Sequence, residues 1–221
     1  MKKLHREFFG AIFTTLLLQL LVSSQMSCIQ AAQESAAREV ASSILGSESG
    51  GQVTVEQFIR LLPAAFGFAH TISYKMPRDT LVTCLMSVGV LPRDVKVDFD
   101  MPLTRGRVSV LLVKSLRLGK GSLLERSLIS LFASQEASFR VALRERRIPA
   151  GDIGDVITRR ELAAIILAAA ASNMSKPLPQ ADTRCIALFV QTILSEVIDI
   201  VEAEKMLNTA NLGSVRSMLA F

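Results

Sequence analysis

Apolar residues recur in one pattern after Thr54, Thr104 and Thr158. Counting from each threonine, places four, seven and eight are Phe58, Leu61 and Leu62, then Val108, Leu111 and Leu112, then Leu162, Ile165 and Ile166. That spacing puts each trio on one face of a helix. The threonines stand 50 and then 54 residues apart, a period that signals internal repetition. Place eleven is Ala65, Ser115 and Ala169, small each time. The pattern predicts three equivalent helices that approach closely around a shared axis.

Each of these helices has a start signal. A threonine at the N-cap accepts a hydrogen bond from an otherwise unpaired backbone N–H, and a Glu or Gln three residues on reaches back to the cap amide. Thr54 with Gln57 and Thr158 with Glu161 fit this box, whereas Thr104 with Arg107 keeps half of it. Val53 with Phe58, Leu103 with Val108 and Ile157 with Leu162 are spaced as hydrophobic staples. A first helix precedes each capped one: Glu34 to Leu45 before the Gly46–Gly51 loop, Thr80 to Val90 before Leu91-Pro92, and Gln135 to Arg147 before Ile148-Pro149. Proline is expected to stop the latter two. The units then run over about 34–68, 72–118 and 122–171, with Gly119-Lys120-Gly121-Ser122 as a linker.

Ile157-Thr158-Arg159-Arg160-Glu161, preceded by a helix and a Gly- and Asp-bearing loop, resembles the surface-layer homology (SLH) module, whose second helix opens with Ile-Thr-Arg-Ala-Glu. Leu103-Thr104-Arg105-Gly106-Arg107 keeps the Thr-Arg pair, and Val55 replaces the arginine in the first unit. The resemblance covers residues 34–171. It implies an all-α, pseudo-threefold packing of three helix-loop-helix units, and a part for Arg105 and Arg159 in holding anionic cell-wall polysaccharide. The aromatic residue of the family's first helix is missing, and the chain has no Trp and one Tyr.

The N-terminus has the layout of a secretory signal over residues 1–27. Lys2, Lys3 and Arg6 precede a mostly apolar Ala11–Val22, and small polar residues follow. The run is shorter than the roughly 20 apolar residues of a membrane span. Val22 and Ser24, or Ile29 and Ala31, suit ordinary cleavage. Ser27-Cys28 suits lipoprotein processing instead, with Cys28 as the lipid-modified residue and a membrane anchor. Leu162 to Ala171 is too short to span a bilayer and is expected to be buried.

The formal charge is +5, and loss of Lys2, Lys3, Arg6 and Glu7 with the signal leaves about +3. Arg140, Arg144 and Arg147 share a predicted helical face near Arg146, Arg159 and Arg160. Together with Arg105 and Arg107 they outline a cationic groove for an acidic glycan, a lipid head group or a partner's carboxylates. For any one of them a solvated surface is the ordinary alternative. Nucleic acid is a poor partner for an exported chain.

Candidate chemistry is sparse. His5 belongs to the signal and His70 stands alone in the sequence, so no histidine-based metal cluster and no catalytic residue are expected, and no cofactor is implied. Cys84 and Cys185 are placed either to pair in an oxidising compartment or to stay as buried thiols. Asp98 with Asp100, and Asp152 with Asp155, lack the spacing of a calcium loop. They suit turns ahead of helix N-termini.

After the linker at 172–182, Thr183 to Leu207 predicts one long closing helix that caps the array or mediates oligomerisation. A short last helix follows to Phe221. The expected protein is an exported envelope module, without catalysis, that binds a wall polymer or envelope partner non-covalently through Arg105, Arg107, Arg159 and Arg160. The alternative is a lipoprotein adaptor or structural protein that binds another protein through its helical surface.

Overall fold

The computed structural model describes residues 35, 38–45, 52–118, 134–208 and 212. The signal-like segment with Cys28, the 46–51 loop, the Gly119–Ser122 linker and nearly all of 209–221 lie outside those residues. The described residues are mostly helical. Helix α1 covers residues 38–45, followed by α2 (Val55–Ala65), α3 (Arg78–Ser87), α4 (Arg105–Ser115), α5 (Gln135–Arg144), α6 (Arg159–Ser175), α7 (Thr183–Glu196) and α8 (Ile200–Leu207). No helix among the described residues is long and apolar enough to cross a membrane.

The cap chemistry follows the residue types. Thr54 Oγ1 accepts from Gln57 N at 3.4 Å while Thr54 N donates to Gln57 Oε1 at 3.0 Å. The Thr158–Glu161 box is also complete, at 3.2 and 2.9 Å. Thr104 Oγ1 accepts from Arg107 N at 3.3 Å. Arginine offers no acceptor for a return bond, so this cap is one-sided.

Helix ends depend less on proline than the sequence suggests. α3 and α5 stop several residues before Pro92 and Pro149, where Gly89 and Arg146 adopt positive φ of 78° and 54°. Val90 N then reaches back to Leu85 O, and Arg147 N to Ala142 O, which closes carbonyls left open at a helix end. Gly67 and Arg117 end α2 and α4 in the same way, with φ of 80° and 50°. Pro63, by contrast, lies inside the last turn of α2.

One apolar core joins these helices. Phe58, Leu61, Leu62, Val108, Leu111, Leu112, Leu162, Ile165 and Ile166 are all buried in it, as are Ala65, Ser115 and Ala169 at place eleven. α6 packs against α2, α7 and α8, while α4 packs most extensively on α5. Leu162 through Ala170 is buried throughout, as its composition predicts. Asn173 near the end of α6 donates to Ala65 O at 3.3 Å from a buried position, which ties α6 to the end of α2.

A further expectation is corrected. The closing helix is two helices, α7 and α8, because Asp199 adopts an extended conformation and its Oδ1 caps Glu202 N at 2.8 Å. A side chain that bonds nearby backbone in this way competes with helix continuation. Residues 96–100 form no strand. Isolated bridges occur instead at Thr54–Pro102 and Thr104–Val156.

Phe58 is fully buried at the head of the α2 stripe. Phe58→Ala is expected to cost about 3–5 kcal/mol, measurable as a lower denaturant midpoint with little change in slope.

Candidate functional site

The residues just before and just inside the capped helices form two joints with the same hydrogen bonds. In the first joint Leu103 N donates to Val53 O at 2.7 Å, Val55 N to Met101 O at 3.0 Å and Glu56 N to Phe99 O at 3.2 Å. In the second, Ile157 N donates to Leu103 O at 2.8 Å, Arg105 N to Asp155 O at 2.9 Å and Gly106 N to Ile153 O at 2.9 Å. Every donor and acceptor of the second joint stands 50 or 54 residues after its counterpart, the offsets that separate the threonines. Backbone donors that a helix start leaves unpaired are therefore satisfied by the loop that leads into the next capped helix.

The joints differ in the residue after the threonine. Arg105 fills the second joint, with its side chain about 10 % exposed. Its Nη1 donates to Pro149 O at 3.1 Å and also to Ala150 O, and its Nη2 donates to Glu161 Oε1 at 2.6 Å. Asp155 Oδ2 stands 3.6 Å from Nε. Glu161 holds Arg105 with one oxygen and caps Thr158 N with the other, so a single carboxylate serves both the joint and the helix start. Gly151 makes the space. Its φ is +151°, and a Cβ there would lie 2.6 Å from Arg105 Cζ.

Val55 occupies the same place in the first joint and is buried without making any demand for acceptors. A groove of about 360 Å³ opens beside it. Val55, Val95, Val97 and Met101 contribute apolar walls, and Lys96, Arg107 and Lys114 contribute cations beside the carboxylates of Asp94 and Asp98. Lys114 is held by Asp94 at 2.5 Å, and Arg107 Nη1 donates to Pro102 O at 2.8 Å. Lys96 is exposed. Along the same joint, Arg78 binds Asp100 and Glu56 at 2.8 and 2.6 Å and lies over the Phe99 ring.

The sequence-derived arginines are not brought into one groove. Arg105 is directed inward and already paired. Arg107 lines the groove at the first joint. Arg159 is half-buried at the start of α6, and Arg160 is exposed and pairs with Glu202 at 2.9 Å. Arg147 leaves the face predicted for Arg140 and Arg144 because α5 ends at Arg144. It turns in to donate to Ala168 O at 3.1 Å. Cys28 lies outside the described residues.

The acidic loops are used within the fold. Asp100 serves Arg78, and Asp155 accepts from Asp152 N at 2.9 Å. Cys84 and Cys185 are both free thiols. His70 has ligand-bearing neighbours that its isolation in the sequence conceals: Cys185 Sγ is 3.9 Å from His70 Nδ1 and 3.5 Å from Asp182 Oδ2. The one local signal is the Asp-x-x-Cys spacing at the start of α7, in which Asp182 is the N-cap and Cys185 stands three residues on.

No family model, no curated protein and no solved structure matches the chain.

Arg105→Ala should destabilise the chain by about 3 kcal/mol, the lower end of the cost of removing one partner of a buried pair. Gly151→Ala should act in the same direction by displacing the guanidinium. Urea unfolding of both variants checks this. The joints also confer an acid dependence. The hydrogen bond from Arg78 leads in holding the Glu56 carboxyl below its ordinary range, with burial opposing and Arg60 assisting. Lys114 does the same for Asp94. A depressed carboxyl adds stability that is complete above its unfolded value of about 4 and is lost as pH falls through its folded value. Unfolding midpoints should therefore decline on acidification below about pH 5, and Glu56→Gln should flatten that decline.

Proposed function

We propose that the chain is an exported cell-envelope module made of three degenerate SLH-like repeats about a pseudo-threefold axis. It binds an anionic wall polymer or envelope partner non-covalently. The supporting observation is the recurrence of one joint at the repeat offsets, filled by Arg105 in one place and open beside Val55 in the other. The signal-like N-terminus supports export.

The division of labour among the arginines differs from that implied by the family resemblance. Arg105 is structural in this reading, because its donors are already directed at Pro149, Ala150 and Glu161. Ligand contact passes to the open joint. There Lys96 and Arg107 face a partly apolar groove that suits a ring with an acidic substituent. Arg159 occupies the matching place at the start of the third capped helix. Arg160, paired with Glu202 at the surface, contributes only to the general positive field.

Charge-assisted hydrogen bonds contribute about 1.5–3 kcal/mol each. Lys96→Ala with Arg107→Ala should therefore weaken co-sedimentation with purified wall sacculi by more than about tenfold without altering the unfolding free energy by more than about 1 kcal/mol. Absence of sacculus binding by the unaltered chain, or binding indifferent to both substitutions, would sink the wall-polymer reading.

A further inference from the structure

We propose that His70, Asp182 and Cys185 form a binding site for a divalent cation of the zinc class, with three protein ligands and a fourth position open to water. The three ligand atoms lie within 4.8 Å of one another. Around tetrahedral zinc, with bonds of about 2.0–2.3 Å, two ligand atoms stand roughly 3.5 Å apart. The sulfur-to-nitrogen and sulfur-to-oxygen separations of 3.9 and 3.5 Å are already near that value. A small rotation of the exposed imidazole closes the remainder.

The backbone beneath the cluster is built to hold it. Asp182 N donates to Gly67 O at 2.9 Å, and Gly67 has φ of +80° with so little room that a Cβ would lie 2.7 Å from Asp182 O. Phe68 N is fixed to Pro63 O, and Ile72 N to Phe68 O, at 2.7 and 2.8 Å. These bonds, with Phe66, Phe68 and Ile72 buried, set the turn that carries His70. Asp182 caps α7 through Oδ1, which accepts from Arg184 N at 2.8 Å, and this directs Oδ2 toward the sulfur. Outer bonds that orient a ligand in this way are a regular feature of metal sites.

The charge and ligand chemistry select the ion. A thiolate and a carboxylate neutralise a divalent charge, and imidazole completes a sulfur–nitrogen–oxygen set that suits zinc and its borderline neighbours far better than magnesium or calcium. Without a cation, burial and the Asp182 carboxylate push the Cys185 thiol up to about 12. A bound cation reverses the sign of that local field and favours the thiolate. His70 is exposed and Cys185 buried, so the ion would enter past the imidazole.

The simpler alternative is a clip in which the thiol donates to Asp182 and merely packs against His70. Cobalt(II) titration of the purified metal-free chain separates the two. One equivalent should produce sulfur-to-cobalt charge-transfer absorption in the near ultraviolet with intense visible bands of a four-coordinate ion, and zinc should remove both. His70→Ala changes an exposed side chain and should weaken affinity more than about 100-fold, beyond the usual cost of losing an outer partner. Asp182→Asn should also weaken it while preserving the helix cap, since Asn caps as well as Asp. Cys185→Ser should abolish the charge-transfer band; if that variant does not fold, the other two still decide the matter. No band at excess cobalt, a band unchanged in His70→Ala, or a band that survives Cys185→Ser would overturn the site. The titration is independent of sacculus binding, so either reading can fail alone.

Discussion

The fold depends on backbone groups that no single helix can satisfy. Val53, Leu103 and Ile157 lie just outside their helices, with their side chains buried in one core. Leu103 N is paired to Val53 O, and Ile157 N to Leu103 O, so Leu103 is the middle rung of a short ladder. A buried amide without a partner would cost more than the bond itself contributes. Each capped helix thus requires the neighbouring loop at a set distance, and stability belongs to the joined set more than to its parts.

One substitution makes the two joints chemically different. A guanidinium that is largely removed from water requires acceptors, and the second joint supplies the carbonyls of Pro149 and Ala150 together with Glu161. Those acceptors hold the 149–155 loop against α4. Valine imposes no such requirement, and the corresponding loop at 94–101 stands away far enough to leave a groove beside Val55. The first joint thus lacks this side-chain tie while keeping its backbone contacts. The stronger joint then maintains the frame on which the more open one is presented.

The helix starts were legible because their information is local: a threonine, a residue three places later and a staple are read from six consecutive positions. The buried stripes were equally legible, and all nine stripe residues lie in the core. Helix ends were harder to read, since Arg117 and Arg146 take left-handed conformations that glycine normally announces. The division of α7 from α8 also escaped the pattern, because apolar spacing persists through Val197 and Ile200 while the decisive group is the Asp199 carboxylate. Arginine direction was the least legible feature. Charge type permits both a solvated end and a buried pair, and only the loop opposite distinguishes Arg105 from Arg160. His70 and Cys185 are 115 residues apart, and nothing local could have joined them.

The two candidate sites lie at opposite ends of α2. Its first turn forms the open joint, while its last turn runs through Gly67 into the contact with the start of α7. Eleven residues of helix separate these ends, roughly 16 Å at 1.5 Å per residue. A cation on His70, Asp182 and Cys185 would tie the 67–72 turn to α7 without touching the groove. α7 packs on α2 and α6, so such a tie would act on the packing of the last helices against them. Stability at one end and ligand access at the other can therefore vary independently, because an intact α2 couples their positions without coupling their chemistry.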